Sequence, residues 1–493
     1  MAARSNLLQQ TLRTVLFPAT ERDLLGQQII LVSLVVVAVC ALGPVPALIL
    51  AAALVLGTAF VFAPSRWVIL IFILFMGFTH QMRSFATVHA GGVEWHPREL
   101  LLFGLLAHGT VKLLQGRARP IADPIHFFVL MLGFYFVQVT VVGILHQYDL
   151  HLIIAEMRNP CALASYVVLV FLAREADLSL YVRAFFVVTM TVATIAIAYF
   201  LYTFVTGHVI NVQNVWGEYV PRQLAGRLVQ SVRPSGHVYY EVTLTVLASF
   251  AIGQGVSMRR RAYLMACIAL FAFAIAITFM RTAYVSAFVS LAILAWLALP
   301  GWQTRAAVAG LGVFALVAAL VLVAGPAGDL LADAVPALGT SIRARFVEME
   351  GAYRAFQRHP GIGAGMGSTF EALGLASKTS QIAYAQTEYQ TVHNTWMYYL
   401  FKGGVFGAML VLLGFGGIFV EMCRRLTALA DWRQRCLMRG IAAAYCGQMI
   451  ACLAMPRLLY AQGYVFVAMT AAFTVLITLK PVEEPLPRRV PSD

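Results

Sequence analysis

"QTEYQTVHNTWMYYLFKGGVFG", residues 386–407, opens polar and turns aromatic and apolar within a few positions. The apolar run continues to about residue 422, long enough for a bilayer core that takes about 20 such residues per helix. His393 and Asn394 stand at its start, behind a long polar stretch. The rest of the chain agrees: 60% of its 493 residues are hydrophobic and 12% charged, where soluble proteins carry about 25% charged residues. The sequence therefore reads as an integral membrane protein.

Working outward from that span, hydropathy places further ones near 27–43, 45–63, 66–79, 99–114, 124–145, 152–173, 181–205, 237–256, 261–279, 282–300, 305–325, 433–455 and 460–479. The expected fold is an all-α polytopic membrane protein with about 12–14 transmembrane helices, since the short runs at 66–79 and 99–114 also suit re-entrant or interfacial segments. Basic loops at 116–120, 257–261, 301–305 and 423–435, with Arg488 and Arg489 in the tail, all fall on one side. The positive-inside rule makes that side cytoplasmic, with both termini inside. Three parts follow: membrane helices over 1–325, an outer loop over 326–392, and C-terminal helices with a short tail over 393–493. The N-terminus carries Arg4, Arg13, Glu21, Arg22 and Asp23 before the first apolar run, so no cleavable signal peptide is expected. Seven cysteines lie in spans or short basic loops, which suggests neither a disulfide framework nor a zinc cluster. The net charge of +13 comes without a basic patch interleaved with aromatics, so nucleic acid is not an expected partner.

The outer loop has structure of its own. In "SIRARFVEMEGAYRAFQRHPG" (341–361), Ile342, Phe346, Met349, Tyr353 and Phe356 recur at helical spacing, with Arg and Glu on the other face. That pattern predicts an amphipathic helix lying on the membrane surface and ended by Pro360 and Gly361. "GIGAGMGS" (361–368) follows, a glycine-rich turn suited to close approach of a neighbour or ligand. No strand precedes it and no GK[ST] follows, so it is not a nucleotide loop.

Charges at the outer boundary are the candidate site. Arg281 interrupts "AIAITFMRTAYVSAFVSLAIL"; Arg233 lies in "SVRPSGHVYYEV"; Arg158 and Glu156 sit in "IIAEMRNPCAL"; Arg457 follows "CLAMP". A charge within or beside a span is costly and marks a site or a buried pair. Arg158 reads equally as a partner of Glu156, and Arg457 as a snorkelling helix-start residue. Grouped, guanidinium forks suit phosphate oxygens. His393 reads as a cap, a headgroup contact or a general base. No metal-binding motif, GxSxG or acidic pair with further ligands appears, so neither metal nor cofactor is expected.

"RAFQRHPGIGAGMGSTF" (354–370) followed by "VHNTWMYYLFKGGVFGAMLVLLGF" (392–415) resembles the O-antigen ligase and polymerase superfamily of bacterial membrane glycosyltransferases. "FMRTAYVSAFV" (279–289) and "RPSGHVYYEV" (233–242) are similar to its arginine segments, so the resemblance spans roughly 230–420. It implies an inner-membrane enzyme taking an undecaprenyl-diphosphate-linked glycan from the bilayer. The glycan would pass at the periplasmic face to a hydroxyl of lipid A-core or of another glycan, without metal. By that resemblance His393 is the general base, and Arg233 and Arg281 hold the diphosphate. Arg158, Asn394 and Arg457 complete the expected substrate-binding set, with His237 and His359 as weaker candidates. The glycine turn and His-Asn motifs favour a ligase by that resemblance, with an O-antigen or exopolysaccharide polymerase, which shares these residues, as the alternative. A lipid-linked sugar transporter is the reading from another class; it predicts paired repeats and midplane charges, and no repeat is visible.

Overall fold

A computed structural model describes residues 63–76, 88–90, 93–95, 97–115, 121–173, 175–208, 217–224, 227–234, 238–253, 256–299, 336–376, 383–453 and 455–479. The chain runs α1 (Ser65–Met76), β1 (Val88–Ala90), β2 (Val93–Trp95), α2 (Pro97–Leu114), α3 (Pro124–Leu145) and α4 (Leu150–Met157). A 3-10 turn (Pro160–Ala164) leads to α5 (Ser165–Leu172), α6 (Glu175–Thr206), β3 (Gly217–Leu224) and β4 (Arg227–Pro234). Then come α7 (Val238–Ala251), α8 (Met258–Ala276), α9 (Arg281–Ala298), α10 (Pro336–Arg358), β5 (Phe370–Ala376) and β6 (Ala383–Tyr389). α11 (Thr395–Leu426), α12 (Trp432–Ala451), a 3-10 turn (Arg457–Leu459) and α13 (Ala461–Thr478) complete it.

The fold is all-α and polytopic. Among the described residues four helices are long and apolar enough to cross a membrane: α3, the stretch Asp177–Thr206 of α6, α11 and α13. The pair α4 and Pro160–Leu172 makes a fifth, bent by 42°. α1, α7 and α9 are apolar but shorter. The spans expected near 27–43, 45–63 and 305–325 lie outside the described residues.

Helix starts follow local chemistry. Asp123 accepts from the backbone N–H of Ile125 with Pro124 at the first helical position, Asp149 caps α4, and Asp431 caps α12. Each satisfies an N–H that has no intrahelical partner. α13, apolar on all sides, is the central element: 94% of its span is buried, against α3, α5, α6, α11 and α12. Small residues let membrane helices approach closely, and here Gly447 of α12 lies against Ser286 and Ser290 of α9. At one end of the bundle Arg425 bonds Asp123 at 2.6 Å and Glu421 at 2.8 Å, tying α11 to the start of α3.

A helix is observed over the amphipathic stretch expected at 341–361, as the latter part of α10, which ends at Arg358. Phe346 and Tyr353 are exposed at its outer face. A second stripe, Arg345, Glu348, Ala352 and Ala355, turns toward the protein instead; Ala352 is fully buried, and Gly351 packs on the Glu371 carbonyl of β5. The loops also hold three antiparallel hairpins among the described residues, β1–β2, β3–β4 and β5–β6, which hydropathy did not reveal.

Candidate functional site

The site is built where α10 meets the start of α11. Asn394 is the N-cap of α11, its side-chain oxygen accepting from the Met397 N–H at 3.0 Å. Thr395 donates its backbone N–H to the Cys452 carbonyl at 2.9 Å and its hydroxyl to the Met455 carbonyl at 2.8 Å. Val392 is buried on the other side. His393 is therefore delivered by a fixed backbone while its side chain stays 42% exposed. Its Nδ1 lies 2.6 Å from Oε2 of Glu348, and its backbone N–H reaches the same oxygen at 3.4 Å. An ionised carboxylate only accepts, so Nδ1 carries the proton and Nε2 is the nitrogen left for a substrate. Burial pushes the Glu348 carboxyl up from its ordinary value, and the Arg345 guanidinium 3.7 Å away pulls it back.

The same end gathers two of the expected arginine positions. Arg281 opens α9, and the hydroxyl of its neighbour Thr282 contacts the Met455 sulfur at 2.5 Å. Met455 also receives Thr395, two residues past His393, and precedes Arg457 by two residues. Positions 281, 393 and 457 are thus each one or two residues along the chain from Met455 or from a residue that contacts it. Arg233 lies on β4, in register with Glu218. The starts of α9 and α11 meet here too, bringing two positive helix ends to one place.

Arg158 behaves differently. It sits at the bend between α4 and α5 and grips Glu99 of α2 with Nε at 3.0 Å and Nη2 at 2.5 Å. The sequence offered Glu156 as its partner. Glu156 instead holds Lys402, at 2.8 and 3.0 Å, and accepts the Gly367 N–H at 2.9 Å. Lys402 is fully buried and also donates to the Ser368 carbonyl at 2.7 Å. Sequence reading passed over Lys402, although an ionisable residue seven positions inside a span is itself a signal.

The glycine turn has a defined task. α11 breaks at Gly404 (φ 63, ψ −167). The turn docks into the break: Pro360 and Gly361 carbonyls accept from Val405 and Phe406 at 2.8 and 3.1 Å, while Ala364 and Gly365 donate to Phe401 and Lys402 at 3.0 and 2.9 Å. Gln138 of α3 closes the joint on the carbonyls of Ile362 and Gly403. The carbonyls of Phe401, Lys402 and Gly403 and the N–H groups of Val405 and Phe406 thus find partners across the break, as backbone at membrane depth requires. His359 packs on His146 at 5.1 Å beside this joint; His237 lies outside the described residues. Next to Lys402 and Glu156, a cavity of about 150 Å³ is lined by Glu156, Asn159, Gln390, Thr391, Tyr398 and Tyr464. Thr391 is two residues from His393, so their Cα atoms lie within about 7 Å.

Among the described residues no three His, Cys, Asp or Glu side chains gather as metal ligands. Residues 266–412, from α8 through α10 and His393 into α11, match the family described as O-Antigen ligase. No curated protein matches the chain.

Proposed function

We propose, from the match of residues 266–412 to the family described as O-Antigen ligase, that the protein transfers a glycan from an undecaprenyl-diphosphate carrier to an acceptor hydroxyl at the periplasmic membrane face. That match supports membrane activity of the ligase or polymerase kind in general. The observation that carries the finer reading is the imidazole of His393, held through Nδ1 by Glu348 and left 42% exposed at the start of α11.

In this mechanism the acceptor hydroxyl gives its proton to Nε2 of His393. Its oxygen forms the new bond to the anomeric carbon, and the bond from that carbon to the diphosphate oxygen breaks with its electron pair. Undecaprenyl diphosphate leaves, and the imidazolium later releases its proton to water. An imidazole with an ordinary pKa near 6.5 suits this work at neutral pH. Charge growing on the diphosphate is met by Arg233, Arg281 and Arg457 and by the positive ends of α9 and α11. Asn394 contributes by capping α11. Arg158, spent on Glu99, holds the bent span.

Purified protein given a lipid-diphosphate-linked polymer and lipid A-core is expected to move the polymer onto the core, and His393→Ala to slow that transfer by about 10²–10⁴-fold with donor binding kept. Extension of the polymer in place of transfer to core would make the enzyme a polymerase. Unchanged transfer by His393→Ala would remove the base.

A further inference from the structure

Glu348 belongs to no motif in the sequence, yet it is the side chain that touches the imidazole. Its placement follows from the packing of α10 on one hairpin. α10 lies against hairpin β5–β6, with Gly351 so close to the Glu371 carbonyl that an added Cβ would sit 2.6 Å from it. That contact fixes the helix rotation. Three residues back along the helix, Glu348 is then aimed at His393, with its side chain 12% exposed. The charged and titratable groups facing this pair among the described residues are Arg345 of α10, 3.7 Å from the carboxylate, and the Tyr460 phenol, which acts on Arg345.

We propose that Glu348 is the positioning residue of the transfer reaction, fixing the tautomer and orientation of His393 and supplying the counter-charge for its imidazolium. This rests on His393 being the base. The acceptor proton goes to Nε2, the Nδ1 proton stays where it is, and Glu348 remains a carboxylate throughout. A surface helix needing only an anchor could be held by the backbone N–H of His393 alone. The 2.6 Å contact goes to the ring nitrogen instead. In serine proteases a carboxylate in the same relation to a histidine is worth about 10⁴ in rate when an amide replaces it. At this half-exposed histidine a smaller effect is expected.

The test compares the pH dependence of kcat/KM for the full-length enzyme, Glu348→Gln and Glu348→Asp. Gln can still accept from Nδ1 but carries no charge, so the plateau should fall about 10–10³-fold. The acid limb should move to lower pH by about one unit, because the imidazolium has lost its counter-charge. Glu348→Asp should recover part of both. The position of the limb does not depend on how much protein is folded, so partial unfolding cannot imitate the shift. Adding Glu348→Gln to His393→Ala should cost nothing further. A limb that stays in place, or an equal loss in the His393→Ala background, overturns the positioning role. Activity untouched by His393→Ala would instead overturn the base reading beneath it.

Discussion

Lys402 shows what one residue demands of a membrane protein. It sits seven positions into α11, about 10 Å along the helix from its start, where an unpaired ammonium is expensive. Two oxygens of Glu156 and the Ser368 carbonyl take its three protons, and the rings of Tyr398 and Phe401 lie 5.6 and 5.1 Å from it. Removing one member of such a pair leaves the other charge buried alone, at a cost of about 3–5 kcal/mol. Lys402→Met and Glu156→Gln should each lower thermal stability in detergent by that order, and the double variant should lose much less than the sum. Strictly additive losses would show that the two are not coupled. Asn394 teaches a smaller lesson. An Asn just before an apolar run is an N-cap signal, and capping is the role the structure gives it, whereas resemblance had grouped it with the substrate contacts.

Elements are joined here by exchange of backbone partners. The break in α11 and the glycine turn after α10 are complementary halves of one joint, and Gly363 is its tightest point. Its φ is +77, and an added Cβ would lie 2.2 Å from the Lys402 carbonyl oxygen. An L-residue in that conformation costs about 1–2 kcal/mol before any clash. Gly361, two residues earlier, has nothing within 4 Å. Gly363→Ala should therefore be clearly destabilised while Gly361→Ala stays close to the parent, measured by thermal unfolding in the same detergent. Equal behaviour of the two would mean the turn is not docked. The hairpins were illegible for a related reason. β3 contains Pro221, which argues against a central strand but is tolerated in a two-stranded ribbon, where each strand is an edge.

At the scale of the whole molecule the two ends of the bundle differ in chemistry. One carries the Arg425–Asp123–Glu421 cluster and the exposed Arg424; the other carries α10, the hairpin β5–β6 and His393. The reading of function requires the first to be cytoplasmic. With native cysteines replaced, Thr369→Cys should react with a membrane-impermeant thiol reagent from the periplasmic side, and Ala428→Cys only after the inner membrane is opened. Both positions are exposed, so accessibility within the fold does not bias the comparison. The opposite pattern would turn His393 toward the cytoplasm and end the proposal.

Burial of apolar side chains is counted residue by residue, so the sequence alone determined that this chain is a helical membrane protein and where four of its long spans run. It also placed a surface helix before a histidine at a span's doorstep, because both are local patterns of period and polarity. Partner choice is a different kind of quantity. Glu348 for His393, Glu99 for Arg158 and Glu156 for Lys402 join residues 45, 59 and 246 positions apart. Those pairings depend on the rotation and depth of one helix against another, which packing sets and no local pattern encodes. Only the tertiary structure could decide them.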